Sequence, residues 1–250
     1  MPLAVTKIVE LVVPKQANHH GTLYGGTALA LMDKTAFLTG SRYARRNFVT
    51  ASAAQIDFLA PARQGQLVEL AGSIERVGNT SLAAGVELYA EDLIAGTRKL
   101  CARGSFVLVA VDGKEPIRAA PGDDRPLPPH AAHMMEMIFP DSTDHHGELD
   151  HGAALGLMGK AAFVAASRFC RQSMIMIASG EIDFHLPSYQ GELIDLVAHP
   201  TAVSGSDVTV SVAMTAENFL TGARRLCARG TFTMRARDAE GNPALIGKTL

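Results

Sequence analysis

The stretch NHHGTLYGGTALALMDKTAF, residues 18–37, returns as DHHGELDHGAALGLMGKAAF, residues 144–163, and this repetition decides the fold. Further along, IDFLAPARQGQLVEL at 56–70 returns as IDFHLPSYQGELIDL at 182–196, and TRKLCARGSF at 97–106 returns as ARRLCARGTF at 223–232. The offset is constant, since 183 − 57 and 229 − 103 both equal 126. An ungapped repeat of this length predicts two copies of one domain of roughly 110 residues, an ordinary domain size.

The segment between the two copies differs in composition from both. Residues 113–132 read GKEPIRAAPGDDRPLPPHAA, with prolines, glycines and charges but no helix or strand period. Such a segment is typical of a linker, either ordered on a surface or flexible. The sequence therefore predicts a first domain over 1–112, a linker over 113–132 and a second domain over 133–250.

Each copy has the same pattern of predicted elements. A short apolar run and a glycine-bearing loop precede a long apolar helix, at about 27–45 in the first copy and 153–171 in the second. Four strand-like runs follow, near 49–59, 67–77, 82–89 and 100–111 in the first copy. The helix is apolar nearly all round, which predicts that it is buried. One buried helix with an antiparallel sheet wrapped around it is an α+β fold.

Composition excludes several classes of protein. The formal net charge of −2 leaves no basic excess to neutralise nucleic-acid phosphates. We find no apolar run long enough to span a membrane, and the first residues, MPLAVTKIVELVVP, are typical of a strand rather than a signal peptide. Three cysteines without an export signal favour a reducing cytoplasm, where thiols act as small apolar residues.

The start of the predicted helix is the first candidate site. Gly25 and Gly26 precede a helix whose first backbone amides have no intrahelical partner. Glycines let a ligand approach these donors, and the helix dipole favours negative charge there, which suits the polarisation of a carbonyl in acyl transfer. Asn18, in the preceding loop, could orient a water or a carbonyl. The alternative is that these residues only form a tight turn.

Asp33 is the second candidate, because it is a carboxylate inside a helix otherwise built for burial. It must either find hydrogen-bond donors or face a cavity, where it could act as a general base. The second copy has Gly159 at this position, so it lacks the acid. The loop differs too, since Asp144 replaces Asn18 and His151 replaces Gly25. The two copies thus differ most where chemistry is expected.

Taken together, these motifs resemble the hotdog-fold acyl-CoA thioesterases, in particular the members with two hotdog domains in one chain. The pattern N-x-x-G-x-x-x-G-G, a helical M-D, T-A-S-x-x-x-I-D-F-x-x-P-x-x-x-G and V-G-x-T-S carries the resemblance. Its residues here are Asn18, Gly21, Gly25, Gly26, Met32, Asp33, Thr50, Ala51, Ser52, Ile56, Asp57, Phe58, Pro61, Gly65, Val77, Gly78, Thr80 and Ser81. The resemblance covers about residues 5–112 well and 133–237 as a diverged copy. It implies two tandem hotdog domains packed as a pseudo-dimer that hydrolyses acyl-CoA thioesters.

The resemblance also implies where the active sites lie. In that family each site joins the loop and helix start of one hotdog to the helical acid of the other. One site here would combine Asn18, Gly25 and Gly26 with Gly159, without an acid. The other would combine Asp144, His151 and Gly152 with Asp33, and we expect this one to be the working site. The loop aspartate also resembles that of the 4-hydroxybenzoyl-CoA thioesterase branch, where it is itself the base or nucleophile.

The resemblance implies partners as well as chemistry. Coenzyme A enters as part of the substrate, without a further cofactor or metal, and no nucleic acid or membrane is expected as a partner. We expect a homo-oligomer, a trimer of chains with six hotdogs. Candidates for the phosphates of the coenzyme lie at the helix ends and in one turn, namely Arg45, Arg46, Arg171, Asn79, Thr80 and Ser81. Arg103 and Arg229, on matched strands, are expected to be structural.

Three alternatives stay open at this point. The histidines and carboxylates of residues 141–152 could bind a metal, although adjacent histidines point apart and no spaced metal motif is present. A hotdog hydratase could pair Asp141 with His146, or Asp144 with His151. Loss of the acid at Gly159 and of the amide at Asp144 would also fit a non-catalytic acyl-CoA-binding or regulatory protein.

Overall fold

The computed structural model describes residues 6–122 and 125–250, so the first five residues of the predicted amino-terminal strand lie outside it. The chain forms two compact units. Unit 1 comprises Met1–Asp92, Thr97–Arg125 and Phe219–Gly222, and unit 2 comprises Leu93–Gly96, Pro126–Asn218 and Ala223–Leu250. The predicted domain boundaries at 112/113 and 132/133 stay a prediction.

Unit 1 is an antiparallel sheet packed around one helix. Its strands are β1 (Thr6–Leu11), β2 (Phe48–Ala53), β3 (Asp57–Phe58), β4 (Leu67–Val77), β5 (Ser81–Glu91) and β6 (Arg98–Ala110), and its helix is α1 (Gly25–Ala44). The strand order is β1-β4-β5-β6-β2, with β3 also paired to β6. Helix α1 contacts β1, β2, β4, β5 and β6. The sheet therefore encloses the helix, as predicted.

Unit 2 repeats this arrangement. Its elements are β7 (Ala132–Met137), α2 (His151–Cys170), β8 (Ser173–Phe184), β9 (Leu193–Ser204), β10 (Asp207–Glu217) and β11 (Arg224–Arg237). The strand order β7-β9-β10-β11-β8 matches that of unit 1 at each equivalent strand. Each unit has the hotdog architecture, so the prediction of two tandem α+β hotdog domains is confirmed.

The core of unit 1 lies between α1 and the sheet, which approach each other closely. Met32, Ala36 and Leu38 are completely buried on the face of α1 that meets the sheet. On β4, a Cβ atom at Gly72 would lie 2.0 Å from Oγ1 of Thr39, so only glycine fits there. The Thr39 hydroxyl donates to the carbonyl of Thr35 at 2.6 Å, which satisfies a buried polar group inside the helix.

The sequence-based element limits needed two corrections. Helix α1 is not buried all round, because Leu29 and Ala30 in its first turns are exposed. The strand predicted over 49–59 is interrupted, since β2 ends at Ala53 and β3 begins at Asp57. Next to the break, the side chain of Ile56 lies over Gly104 of β6, where a Cβ atom would be only 2.7 Å away. Ile182 lies over Gly230 in the same way although β8 is continuous there, so this contact does not explain the break.

The first part of the predicted linker packs on unit 1. Arg46 donates to the Asp112 carboxylate at 2.7 Å and to the carbonyls of Gly113 and Glu115 at 2.8 and 2.6 Å. Ile117 is buried, and its N–H donates to the carbonyl of Asn79 at 2.8 Å. This stretch of the linker is therefore ordered on the surface of the unit.

Helix α2 corrects the expectation that no apolar segment reaches membrane-spanning length. Its 20 residues are long and apolar enough to cross a membrane by length and composition. Most of the helix, however, is buried inside unit 2. The apolar composition therefore reflects the core position of the helix, with completely buried residues such as Met158 and Ala162.

Candidate functional site

Asp33 lies in the first half of α1, where it is half-buried, and it has a specific partner on β2. The hydroxyl of Thr50 donates to Oδ1 of Asp33 at 2.6 Å. A hydroxyl–carboxylate hydrogen bond is charge-assisted and holds the acceptor in one orientation. In the sequence, Thr50 stands out only as the first residue of the T-A-S motif. The signal that could have found it was its place on the strand that follows the helix.

The equivalent positions of unit 2 have lost both groups. Gly159 replaces Asp33 and Met176 replaces Thr50, 126 residues further on in each case. A Cβ atom at Gly159 would lie 3.1 Å from the terminal methyl of Met176. The methionine therefore takes up the space beside the helix at this position, and unit 2 carries neither the acid nor its hydroxyl donor.

The loop before α1 fixes the orientation of the Asn18 side chain. Its Oδ1 accepts from the N–H of His20 at 2.9 Å, and from the N–H and the hydroxyl of Thr22 at 3.3 and 3.2 Å. Backbone N–H groups can only donate, so the oxygen must face the loop. The amide NH₂ group of Asn18 is then the part of the side chain that can donate to a ligand.

The loop before α2 has the same shape but the opposite polarity. Oδ1 of Asp144 accepts from the N–H groups of His146 and Glu148 at 2.8 and 3.1 Å. The second oxygen, an acceptor, stands in for the NH₂ group of Asn18. Desolvation raises the pKa of Asp144, but these backbone hydrogen bonds and the nearby His146 and His145 outweigh it and hold the pKa below its usual range. Asp144 is thus an ionised acceptor at neutral pH.

The two helix starts differ in how they are capped. Tyr24, the N-cap of α1, makes no side-chain capping hydrogen bond, and its ring covers Gly26, where a Cβ atom would lie 2.6 Å away. Asp150, the N-cap of α2, accepts from the N–H of Ala153 at 3.1 Å. The backbone N–H groups of His151 and Gly152, the first two residues of α2, come before that of Ala153 in the chain. Each helix start therefore presents backbone donors of the kind that bind a developing oxyanion.

A pocket opens beside each helix start. The pocket of unit 1 has a volume of 290 Å³ and is lined by apolar residues, among them Leu23, Ala28, Phe58, Leu59, Leu88 and Cys101. Its counterpart in unit 2 has a volume of 200 Å³, and polar side chains share its lining, namely Glu148, His151, His185 and Ser188. The ring of His151 packs edge-on against Phe184, with centroids 4.6 Å apart.

The predicted phosphate-binding residues have partners within their own units. Both Arg45 and Arg171 cap their helices in the left-handed region, at φ 54° and 56°. Arg45 donates to the carbonyl of Phe219 at 3.3 Å, and Arg171 donates to that of Leu93 at 3.4 Å. Arg46 is bound to the 112–115 segment, as described above. Asn79 and Thr80 lie in the turn between β4 and β5, and Ser81 is the first residue of β5; the Gly78 N–H donates to the Ser81 carbonyl at 2.7 Å. Their role toward a coenzyme stays a prediction.

Two further sequence hypotheses concern the scaffold and a metal. Arg103 faces Asp57 across β6 and β3 and pairs with its carboxylate at 3.4 Å, in agreement with a structural role. The equivalent Arg229 faces Asp183 across β11 and β8. Over residues 6–122 and 125–250, no group of three or more histidine, cysteine, aspartate or glutamate side chains is arranged to hold a metal ion.

Two hotdog units, the first with an acid on its central helix, define the class of protein, and comparison with known families agrees. The family model of the thioesterase superfamily matches residues 20–96 and 146–223. The two matches cover more than half of the chain, one in each copy of the repeat. The chain therefore belongs to the thioesterase superfamily.

Individual relatives extend this assignment. An acyl-CoA hydrolase from Agrobacterium tumefaciens is 40% identical, and the alignment covers 97% of this chain and 98% of that one with a TM-score of 0.87. The uncharacterized acyl-CoA thioester hydrolase YkhA of Bacillus subtilis is 37% identical over 101 residues, 40% of this chain and 59% of that protein. Protein VdlD of Helicobacter pylori is also 37% identical, over 42% of this chain and 61% of its own length. The chain thus spans about three-fifths of the curated relatives with which it shares most identity.

Proposed function

We propose that this protein hydrolyses acyl-CoA thioesters to a free acid and coenzyme A. The observation that carries the proposal is the half-buried Asp33 on α1, oriented by the hydroxyl of Thr50. A carboxylate held in this way can accept a proton from water. The superfamily of the chain and its full-length similarity to an acyl-CoA hydrolase support the same reaction.

The proposed chemistry uses two carboxylates and backbone donors. A carboxylate takes a proton from water while the water oxygen attacks the thioester carbonyl carbon. The carbon–sulfur bond then breaks, and the departing thiolate takes a proton to give coenzyme A. Asp33 and the ionised Asp144 are the proposed carboxylates, and the amides of His151 and Gly152 are the proposed donors to the oxyanion. The lowered pKa of Asp144 keeps this carboxylate ionised at neutral pH, although it also makes it a weaker base.

Asn18 and Gly26 offer a different set of groups, and their catalytic role is a separate proposal. The NH₂ group of Asn18 and the amide of Gly26 are donors, whereas the Asp144 loop adds negative charge. If the Asn18 loop holds the thioester during hydrolysis, the substitution Asn18→Ala should reduce turnover as strongly as Asp33→Ala. If the Asp144 loop does so, Asp144→Ala should have the stronger effect, and this is the result that we expect.

The experiment is thiol release from a panel of acyl-CoAs, followed with a thiol reagent. We expect release by the wild type, and a fall of about 10²- to 10⁴-fold in kcat/KM for Asp33→Ala, the usual range for loss of a general base. Binding of acyl-CoA without thiol release would contradict hydrolysis and support the non-catalytic alternative. Unchanged turnover in Asp33→Ala, together with lost turnover in Asn18→Ala, would overturn the assignment of the site.

Substrate contacts, assembly and location belong to the same proposal. We propose that Arg45, Arg171 and the turn Asn79–Thr80–Ser81 contribute to phosphate binding, with Arg46 contributing less because it already holds the 112–115 segment.

The sheet edges β2 and β8 are largely exposed, which favours association of chains, and we propose a trimer. Three free, buried cysteines fit a reducing cytoplasm. Light scattering of the purified chain tests the trimer.

A further inference from the structure

The pocket of unit 1 has the features of a binding site for an alkyl chain. Ala28, Leu88 and Cys101 are each less than 5% exposed and line it together with the half-exposed ring of Phe58. Burial raises the pKa of the Cys101 thiol, so this group stays neutral. At 290 Å³ the pocket is close to the lower end of the range for ligand sites, roughly 300–1,000 Å³. An apolar pocket of this size removes a hydrocarbon chain from water.

The mouth of this pocket lies beside donors suited to a thioester. The outer carbon of the Phe58 ring is 4.0 Å from the position of a Cβ atom at Gly25, the first residue of α1. The start of α1 has no side-chain cap, and the NH₂ group of Asn18 can donate to a ligand. A thioester oxygen could therefore bind at the helix start while its alkyl chain enters the pocket.

The same surroundings lack a group that activates water. Among the described residues, the ten that line the pocket include no carboxylate and no histidine. Asp33 is on the same helix, but it lies eight residues beyond Gly25, about 12 Å along the axis. It cannot reach a thioester held at the start of its own helix.

The counterpart in unit 2 is an internal comparison with different chemistry. His185 replaces Leu59 and Ser188 replaces Ala62, and Glu148 and His151 also line that pocket. An alkyl chain placed there would displace water from polar groups without replacing their hydrogen bonds. The carboxylate of Asp150 adds a negative charge at the start of α2. The duplicated pockets have thus acquired different polarity.

We infer that unit 1 contains an acyl-binding site, formed by the pocket beside α1 and the donors at its start, which retains an alkyl thioester without hydrolysing it. The ligand class rests on the proposed function, since an acyl-CoA is the thioester at hand. Asp33 takes no part in this site, because it lies too far along its own helix. The duplication would then combine a hydrolytic centre with a separate site that senses or retains the apolar chain.

Calorimetry with S-octyl-coenzyme A, a thioether that cannot be hydrolysed, tests the site, with coenzyme A as the reference ligand. The matched variants are Phe58→Ala and Phe184→Ala, since these phenylalanines are 55% and 42% exposed and line the equivalent pockets. For the wild type we expect the octyl group to strengthen binding at least tenfold. Phe58→Ala should remove most of this gain, and Phe184→Ala should retain it.

Two results would overturn the inference: equal losses in both variants, or no loss in Phe58→Ala. If Phe58→Ala fails to fold, as judged by circular dichroism, the pair Ala28→Leu and Ala154→Leu replaces it, because each adds the same bulk to one pocket. Failure of the proposed function is recognised separately, as absence of thiol release from octanoyl-CoA by the wild type. The binding measurement does not depend on that reaction.

Discussion

The hydroxyl of Thr50 donates a 2.6 Å hydrogen bond to Oδ1 of Asp33, and this bond joins β2 to the central helix of unit 1. In unit 2 the same two positions are Met176 and Gly159, and the methyl group of Met176 lies where a side chain at position 159 would begin. The repeat has therefore preserved the backbone at this point while one copy lost its polar pair. The pair is the most direct target for mutation.

The first prediction concerns the donor to Asp33. Thr50→Val keeps the shape of the side chain but removes the hydroxyl, so Asp33 should lose its fixed orientation. Hydrogen bonds to charged groups contribute about 1.5–3 kcal/mol, and we expect kcat/KM for acyl-CoA to fall by about 10- to 100-fold. Most of the loss should appear in kcat rather than in KM, because Thr50 positions the carboxylate.

Thr50→Ser is the matched control, since it restores a hydroxyl at the same position and should recover most of the activity. Ser52→Ala, at an exposed position of the same strand, should have little effect. Equal activity of Thr50→Val and Thr50→Ser would show that the hydroxyl has no part in positioning Asp33.

The second prediction compares two helical glycines with different surroundings. Gly156 of α2 has open space at its Cβ position, so Gly156→Ala should raise the free energy of unfolding by about 0.5–1 kcal/mol through helix propensity. At Gly40 of α1 a Cβ atom would lie 2.5 Å from Leu108 and 3.2 Å from Leu82, both in the core. Gly40→Ala should therefore destabilise the protein by about 1 kcal/mol or more. Urea unfolding measures both, and a gain from Gly40→Ala would contradict the tight packing seen there.

The third prediction concerns the buried Asp195, whose carboxylate pairs with His133 at 2.7 Å and with Arg224. Burial alone raises the pKa of Asp195, but the hydrogen bonds and charges of His133 and Arg224 more than offset it, so the pKa lies well below its usual range. A carboxylate with a depressed pKa stabilises the fold above its unfolded-state pKa, about 3.9. That contribution is lost as the pH falls through the lower, folded-state pKa.

Asp195→Asn should accordingly lower the free energy of unfolding at neutral pH by about 3 kcal/mol, because it removes the buried charge that pairs with His133 and Arg224, even though Arg224 keeps its ion pair with Glu217. The difference in Tm between wild type and variant should narrow as the pH falls below about 4. Thermal melts over a pH series measure this, with the exposed Glu240→Gln as control. A difference that stays constant into the acid range would contradict the assignment of the stabilisation to the ionised carboxylate.

The fourth prediction concerns the three free cysteines, Cys101, Cys170 and Cys227, which are all buried. Burial raises the pKa of each thiol, to about 11 for Cys170. Since the thiolate is the reactive form, the native protein should react very slowly with a thiol reagent at mildly alkaline pH. All three should react in concentrated guanidinium chloride. Fast native reaction would show an accessible thiol, and the same measurement provides the blank for the thiol-release assay.

Much of the fold could be read from the sequence because the repeat is ungapped. The duplication, the long central helices and the antiparallel strands follow from local patterns that appear twice. A pattern found in both copies supports the same element in each. The break between β2 and β3 could not be read, because the equivalent stretch of the second copy has the same I-D-F motif and forms one continuous strand, β8. The exposed first turns of α1 were missed for a related reason, since composition does not specify which face a sheet covers.

The residues of the candidate site could be predicted from the sequence, but their hydrogen-bond partners could not. Sequence identified Asn18, Asp33, Asp144 and the helix starts as the places where the copies differ. It did not identify Thr50 as the donor to Asp33, or Asp150 as the cap of α2. Both depend on the distance and direction of side chains, which residue identity alone leaves undetermined.

By itself, the sequence determined that this protein consists of two copies of one α+β domain and that the second copy lacks the helical acid. Those conclusions need only residue types and spacing, because helix and strand periods and the repeat offset are properties of the linear chain. Tertiary structure alone decided which hydrogen-bonding face each loop presents and which pocket is apolar. The Asn18 and Asp144 loops have the same backbone hydrogen bonds, yet one leaves a donor and the other an ionised acceptor. Residue type decides whether the remaining group is an amide or a carboxylate oxygen, whereas the fold decides that it is left for a ligand, because loop N–H groups hold the other oxygen in place.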